Sequence, residues 1–380
     1  MTLNRYLTLD DVDVEGLRVL VRSDLNVPLD NQGIGDDFRI RSALPTLERL
    51  VGSGAKVTVC SHLGRPDGPD PALSLEKVAT RMGMLTRYRV GFDTPGDIVV
   101  LENTRFLPGE TSNDTATARN LADDYDLFVQ DAFGSVHRAH ASTVGVAELV
   151  KSVAGPLLDA ELTAFDRLLS EPERPYSVVL GGAKVSDKLG IIANLLPKVD
   201  RMLIGGGMCF TFLRARGFDV GNSLVQEDMV EEVGLLLSGP NGRKVILPVD
   251  IATGDRFAED AARSVVDIAN IPAGSIGLDI GPATCSGFRE LIESSASVFW
   301  NGPMGVFEWE RFRRGTDLVA RALAACQGFT AVGGGDSAAA LRLLGLDDSV
   351  SHLSTGGGAG LELLEGRILP GVAVLERWVR

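Results

Sequence analysis

Lysine is scarce in this 380-residue chain: seven of its 37 basic residues are lysine and the rest arginine. Two of the seven, Lys184 and Lys188, stand four apart in GGAKVSDKLG, directly behind the apolar run YSVVL (176–180). That spacing predicts both ammonium groups on one face of a helix start. Like charges at i,i+4 cost roughly 0.2–0.5 kcal/mol, and cations near a helix N-terminus oppose its dipole by a similar amount. A bound polyanion reverses both terms; two solvated surface lysines are the bland alternative.

Several apolar runs in the second half of the chain end in glycine: GGAK, GGGM, NGPMG, GGGD and TGGGAG. Repeated junctions of this kind let backbone N–H groups approach phosphate oxygens, with a helix dipole favouring the negative charge. No GxGxxG opens a helix after a strand, and no GxxxxGK[ST] occurs, so neither the dinucleotide fingerprint nor a P-loop is present. A dehydrogenase is disfavoured accordingly. In VGGGDSAAA, Asp336 and Ser337 read either as a helix cap or as oxygen ligands for Mg²⁺ carried by phosphates. Glu308, in WNGPMGVFEWE, is either a solvated acid or an acceptor for ribose hydroxyl groups.

First-half runs end in polar and basic residues instead. SHLGR supplies His62 and Arg65, ENTRF supplies Arg105, VHRAH supplies His137, Arg138 and His140, and DDFRIRSALP places Arg39 just before a helix. Singly, each is a common surface charge or capped histidine. Together at sheet-edge positions they suggest a pocket for phosphate or carboxylate, which arginine grips bidentately. Asp24 and Asn26, in RSDLNVP, add acceptors for substrate hydroxyl groups, or else form a turn pair. A small-anion pocket and a set of phosphate cradles imply phosphoryl transfer between two bound substrates, a chemistry of positioning and charge neutralisation. A carboxylate acceptor is already ionised and needs no general base, which suits the absence of any obvious base constellation.

The elements that must position these residues are legible as an alternation of short Val/Ile/Leu runs with longer stretches of helical period. Strands are predicted at 17–22, 55–60, 97–102 and 126–131, then at 176–180, 201–204, 244–249, 297–300, 329–332 and 352–355. Helices are predicted at 41–52, 160–171 and 229–239. The pattern is α/β: two lobes, each a mostly parallel β-sheet covered by helices as a three-layer α/β/α sandwich, joined by a hinge helix near 156–171. Ligands of open α/β sheets sit beyond the carboxyl ends of the strands, where both sets of motifs lie. Transfer requires the two edges to meet with water excluded, so closure about that hinge is expected.

Bulk properties agree. The length favours two domains, and 44% hydrophobic with 23% charged residues is ordinary for a globular chain. A formal charge of −14 speaks against a broad nucleic-acid or anionic-membrane surface, though not against a local basic pocket. Cys60, Cys209, Cys285 and Cys326 show neither CxxC nor metal-ligand spacing, which suggests buried thiols in a reducing compartment. The N-terminus lacks a basic and apolar leader, and no apolar stretch approaches membrane-spanning length, so a cytoplasmic protein is expected.

RSDLNVP, SHLGRP, LENTRF, DAFGSVHRAHASTVG, GGAKVSDKLG, IGGGMCFTFL, GLDIGP, WNGPMGVFEWE, VGGGDSAAA and STGGGAGLELLEG follow one another in the order found in the phosphoglycerate kinase family. The resemblance covers essentially the whole chain. It implies a bilobal, monomeric kinase of glycolysis and gluconeogenesis that interconverts 1,3-bisphosphoglycerate plus ADP with 3-phosphoglycerate plus ATP, using Mg²⁺. The alternative on the same fold is a non-catalytic nucleotide-binding protein, disfavoured because no matched charged position is neutralised.

Carried over to this chain, the resemblance assigns Asp24, Leu25, Asn26, Arg39, His62, Leu63, Gly64, Arg65, Arg105 and Arg138 to the phosphoglycerate site, with His137 nearby. It assigns Lys188, Gly277, Glu308, Gly334, Gly335, Asp336 and Ser337 to the nucleotide. Gly205, Gly206, Gly207, Leu278, Pro303 and Val306 border the adenine, and Asn301 the phosphates, with Asp336 toward the metal. Lys184 and Arg39 resemble the pair that stabilises the phosphoryl group in transfer, helped by backbone N–H groups of Gly335 and of Gly356, Gly357 and Gly358. The family's C-terminal segment returns to the N-terminal lobe, implying lobes of 1–157 with 367–380 and of 158–366. Two departures stand out. Only DTPG remains between RYRVGF (87–92) and DIVVLE, where the family usually has a further helix and loop, and Gly360 replaces a common serine.

Overall fold

The computed structural model describes residues 6–30 and 33–379. The expectation that the N-terminus carries no leader falls partly on residues 1–5, outside the described residues, as does Arg380 of the expected C-terminal segment.

The chain divides into two compact units: one runs to Thr163 and resumes at Arg367, and the other is Ala164–Gly366. The division falls inside the helix Pro156–Leu169, after the 157/158 boundary expected from the sequence.

In unit 1, β1 (Arg18–Ser23) is followed by a short antiparallel ribbon, β2 (Leu29–Asp30) with β3 (Gly33–Ile34). The remaining strands are β4 (Lys56–Cys60), β5 (Val90–Phe92), β6 (Ile98–Val100), β7 (Leu127–Asp131) and β8 (Ser152–Ala154). Apart from the ribbon they form one parallel sheet in the order β5-β6-β4-β1-β7-β8. Their runs of Val, Leu and Ile are apolar without alternation because a parallel sheet is covered on both faces. Val19, Val21, Val57, Val59, Leu127 and Val129 pack with Ile40, Leu44, Leu47 and Leu50 of the helix Phe38–Gly52, whose apolar positions recur at helical spacing. That helix carries Arg39 in its first turn.

Unit 2 holds a second parallel sheet, ordered β11-β10-β9-β15-β16-β17. Its strands are β9 (Tyr176–Leu180), β10 (Arg201–Ile204), β11 (Val245–Ile246), β15 (Ser297–Asn301), β16 (Phe329–Gly333) and β17 (His352–Leu353). Val179, Leu203, Val298, Trp300 and Val332 meet Phe288, Ile292, Val319 and Leu323 from the helices Pro282–Glu293 and Arg314–Ala325.

Strands β5 and β8 and the β2–β3 ribbon were not expected from the sequence, and the three-layer plan omits a further part. β12 (Asp250–Gly254), β13 (Ser264–Asp267) and β14 (Ile276–Ile280) form a separate antiparallel sheet in the order β13-β12-β14. Polar and glycine-rich stretches break its hydrophobic period, and β13 is largely exposed. The strand expected over 244–249 shrinks to Val245–Ile246: Pro248 stands two residues on, and proline cannot donate to a ladder.

The shortened segment adopts a tight connection. β5 and β6 pair in parallel with Val90 opposite Ile98, although only residues 93–97 separate the strands. Asp93 takes the left-handed conformation at φ 47°, and Arg89 and Asp97 clasp the base of the loop by N–H···O bonds of 2.8 Å in each direction. The C-terminal segment packs within unit 1, where Trp378 donates to the Ala147 carbonyl at 2.8 Å and Gly371 to that of Val136 at 2.9 Å.

Candidate active site

The basic residues of unit 1 gather because their strands are neighbours. β6, β4, β1 and β7 are adjacent and parallel, so the segments after them, carrying Arg105, His62 to Arg65, Asp24 to Asn26, and His137 with Arg138, leave one edge of the sheet. Internal bonds hold these segments in register. Asn26 Oδ1 accepts from Gly64 N–H at 2.8 Å, and Asn103 joins the β4 and β6 segments by accepting from Leu63 and Arg105 N–H and donating to the Leu63 and Leu73 carbonyls. Arg39 enters from its helix and pairs with Asp24 at 2.5 Å, so the Asp24 carboxylate is engaged by a cation as well as presented to solvent. Leu25 and Leu63 are buried and fix the backbone beneath.

Like charges crowd the edge around Arg105. Burial first, then Arg138, Arg22 and Arg65, lowers the Arg105 guanidinium from its ordinary value. Arg105 Nη1 donates to the Gly64 carbonyl, while its buried Nε–H has no partner among the described residues. A buried guanidinium donor held among like charges is what an oxyanion would satisfy. His62 is 5% exposed and hydrogen-bonded to Arg22 at 3.0 Å. Burial and the neighbouring arginines push it far below the usual histidine range, so it is a neutral ring.

In unit 2, β10, β9, β15, β16 and β17 are adjacent, and every glycine junction named from the sequence leaves their carboxyl ends. Gly182 (φ 101°) and Gly206 (φ 63°) have left-handed backbones. A Cβ at Gly206 would lie 2.5 Å from the Gly182 nitrogen, so the turns after β9 and β10 stack at a distance only glycine permits. Gly182 donates to the Pro303 carbonyl at 2.9 Å and Gly206 to that of Met304 at 3.0 Å, which ties both turns to the loop after β15. Val306 of that loop donates to Leu278 of β14, bringing the antiparallel sheet with Gly277 and Leu278 alongside. Gly277 is dictated by packing: a Cβ there would fall 1.9 Å from the Phe210 ring. Glu308 is exposed, next to Trp309, whose ring lies 4.7 Å from that of Phe257.

One expectation is corrected. Lys184 and Lys188 do not share a helical face: Lys184 lies in the loop after β9, and the helix Leu189–Leu195 begins only after Lys188, its N-cap. The glycine turn anchored to Pro303 delays helix entry, and a turn closed by Lys188 N–H to the Val185 carbonyl at 2.8 Å comes between. Lys184 is exposed, whereas Lys188 is mostly buried and donates to the Asn301 side-chain oxygen. Burial lowers the Lys188 ammonium from its ordinary value, against Asp187, Asp336 and Glu365, which raise it.

Gly335 and Asp336 open the helix Gly335–Leu343, with Gly334 at its N-cap in a left-handed conformation at φ 93°. Ser337 is buried and accepts from Gly302 N–H at 2.7 Å, so its hydroxyl braces the loop after β15. Gly356, Gly357 and Gly358 lead into the helix Gly358–Leu364, and Ser354 Oγ accepts from Gly356 N–H at 3.1 Å. No cluster of three or more His, Cys, Asp or Glu side chains able to hold a metal occurs among the described residues. The single carboxylate of Asp336 fits Mg²⁺ that arrives on phosphates and keeps most of its other ligands as phosphate oxygen and water, rather than a protein cage.

Sequence reasoning did not single out Arg22, Asn103, Glu110 or Ser142, which are buried behind the unit 1 edge. Arg22 had a visible signal, a cation inside an otherwise apolar strand run. The other three depend on contacts between distant segments.

The family model described as phosphoglycerate kinase matches residues 9–367. The phosphoglycerate kinase of Salinispora arenicola is 54% identical over 395 aligned positions, covering 97% of this chain and 99% of that protein. That of Rubrobacter xylanophilus is 52% identical, covering 96% and 97%. Among solved structures, phosphoglycerate kinase from Coxiella burnetii superposes with a TM-score of 0.92 at 39% identity, covering 99% of this chain and 100% of that one. The enzyme from Pyrococcus horikoshii gives 0.83 at 30% identity, covering 97% and 98%. A match along nearly its whole length, on a fold whose two parallel sheets each carry the expected motifs at one edge, shows that this chain belongs to the phosphoglycerate kinase family.

Proposed function

We propose that this kinase catalyses reversible, Mg²⁺-dependent phosphoryl transfer between 1,3-bisphosphoglycerate with ADP and 3-phosphoglycerate with ATP, unit 1 binding the phosphoglycerate and unit 2 the nucleotide. The observation that carries the division is the contrast between edges: clustered arginines with a buried donor lacking a partner among the described residues in unit 1, and stacked glycine turns in unit 2.

On this reading Arg65, Arg105, Arg138 and His62 hold the anionic groups of phosphoglycerate, while Asp24 and Asn26 orient its hydroxyl group. His137 lies beside them. The turns with Gly205, Gly206 and Gly207, together with Gly277, Leu278, Pro303 and Val306, accommodate the adenine, and Glu308 accepts from the ribose. Lys188, steadied by Asn301, holds a nucleotide phosphate, and the N–H groups around Gly334, Gly335 and Ser337 face phosphate oxygens at a helix N-terminus. Asp336 would ligate the Mg²⁺, which when bound neutralises phosphate charge and orients the oxygens.

Lys184 and Arg39 neutralise charge spreading over the phosphoryl group during transfer, with backbone donors of Gly335 and Gly358 contributing. Lys184 sits after a rigid glycine turn yet is itself exposed, which suits a cation whose partner is present only during transfer. The acceptor carboxylate is ionised at neutral pH, so no residue need remove a proton from it.

A coupled assay with ATP, Mg²⁺ and 3-phosphoglycerate tests the reading: turnover is expected, and it should vanish without Mg²⁺. Calorimetric binding of both ligands without turnover would instead favour the non-catalytic alternative, which the intact charged positions and the family membership oppose. A cytoplasmic location and a monomeric state belong to the same proposal, and light scattering on the purified chain tests the latter. No helix among the described residues is long and apolar enough to cross a membrane.

A further inference from the structure

Behind the basic edge of unit 1 runs a buried polar chain. Arg22, in β1, is fully buried. Its Nε donates to Ser142 Oγ at 3.0 Å, Nη1 donates to the Ser23 carbonyl at 2.6 Å and to Ser61 Oγ at 3.4 Å, and Nη2 lies 3.0 Å from His62 Nδ1. Ser142 Oγ donates onward to Glu110 Oε1 at 2.6 Å, and Ser142 N–H donates to Glu110 Oε2 at 2.9 Å. Glu110 is 1% exposed, and His140 Nδ1 lies 3.8 Å from it.

The direction of each bond follows from chemistry. A guanidinium can only donate, so His62 Nδ1 must accept, and the ring then carries its proton on Nε2. The serine hydroxyl has one hydrogen and gives it to the carboxylate, so it accepts from Arg22. A buried cation needs a counter-charge, and Glu110 supplies one through Ser142. These six side chains come from β1, from the segments after β4 and β6, and from the segment after β7, so their arrangement is tertiary.

We propose that Glu110 and Ser142 are positioning residues for the acceptor site: acting through Arg22, they lock His62 as the neutral Nε2–H tautomer, which presents a donor to an oxyanion of phosphoglycerate. The inference rests on the reading of this edge as the phosphoglycerate site. The groups facing His62 are Arg22, Arg105, Arg138 and His140, with Glu110 beyond Arg22 and the Ser142 hydroxyl; burial and these four neighbours all oppose protonation of the ring. His62 therefore offers the same donor throughout roughly pH 5 to 8, the range in which an unperturbed imidazole would change charge. The role of Glu110 and Ser142 is to hold the orientation of Arg22 that makes Nδ1 the acceptor.

The chain has only four histidines, so nitrogen-15 spectra of its imidazoles are tractable. In the unsubstituted protein His62 should show an unprotonated Nδ1 and a protonated Nε2 at both pH 5.5 and pH 7.5, and 3-phosphoglycerate should shift the Nε2–H signal. Ser142→Ala should admit the other tautomer and raise KM for 3-phosphoglycerate about tenfold, as expected for losing a bond to a charged group, while KM for ATP stays within about twofold. Glu110→Gln keeps an acceptor oxygen and should preserve the tautomer while lowering thermal stability. A proton on Nδ1 or a doubly protonated ring in the unsubstituted protein overturns the proposal, even if both variants fail to fold. So does Ser142→Ala with an unchanged His62 spectrum, or with equal rises in both KM values. An intact tautomer whose signal ignores 3-phosphoglycerate removes the acceptor from this edge, and the positioning role with it.

Discussion

Lys188 donates to the side-chain oxygen of Asn301, and Asn301 donates through Nδ2 to the Gly333 carbonyl at 2.6 Å. One amide thus fastens a mostly buried cation after β9 to the ends of β15 and β16. Asn301→Ala removes an acceptor from a charged donor, a loss of about 1.5–3 kcal/mol, or about tenfold to a hundredfold in affinity. KM for ATP should rise by that factor while KM for 3-phosphoglycerate is unchanged; kinetics with each substrate varied in turn would expose a general folding defect as a rise in both.

If Lys184 acts on the transferring group as proposed, Lys184→Ala should lower kcat by roughly a hundredfold or more while changing ADP affinity by less than about threefold, because such an interaction belongs to the transition state. Calorimetry with Mg-ADP alongside steady-state kinetics checks this. A loss of affinity that accounts for the whole loss of activity would remove Lys184 from the transferring group.

Asp131, at the end of β7, accepts from Leu157 N–H at 2.8 Å and Leu158 N–H at 3.3 Å, capping the helix Pro156–Leu169. Burial raises its carboxyl from 3.8 to about 6, against the pull of Thr46 and of those two amides. The folded form therefore binds the proton more tightly than the unfolded chain. The contribution of Asp131 to stability is full below pH 3.8 and is lost as pH rises toward about 6, a change of about 3 kcal/mol at most. Asp131→Asn keeps an acceptor for the helix but cannot ionise. The stability advantage of the unsubstituted protein over this variant, from urea titrations at several pH values, should shrink between pH 4 and pH 6.5, and a difference constant with pH would contradict the assignment.

Gly360, which the sequence resemblance sets at a position of serine, is closely packed in this structure. A Cβ at this position would lie 2.9 Å from Phe165 Cζ, so the Phe165 ring occupies the space. Gly360→Ser should destabilise by about 1–3 kcal/mol through overpacking, and Phe165→Leu in the same chain should recover part of that loss. Thermal denaturation of the two single variants and the double variant measures the coupling; strictly additive effects would place the clash elsewhere.

The central strands of both parallel sheets were legible in the sequence because a strand covered on both faces must be apolar along its length, as in LRVLVR and YSVVL; the three-residue edge strands β5 and β8 of unit 1 were too short to show such a run. The antiparallel sheet of β12, β13 and β14 was not, since it leaves much of β13 exposed and its hydrophobic period is broken. Side-chain chemistry was legible where one motif held it: the glycine junctions and Arg65, Arg105 and Arg138 stand at strand ends that sequence order alone predicts.

Residue identity alone determined that the chain has a glycine-rich edge and a basic edge, because those properties are local to each strand end. Only the tertiary structure decided how the charges are used. The two lysines, four residues apart, were expected to share a helical face, but the Gly182 turn bonded to Pro303 separates them into an exposed loop cation and a mostly buried N-cap. Glu110 and Arg22 are far apart in sequence and meet through Ser142, a relation set by strand order and burial rather than by spacing.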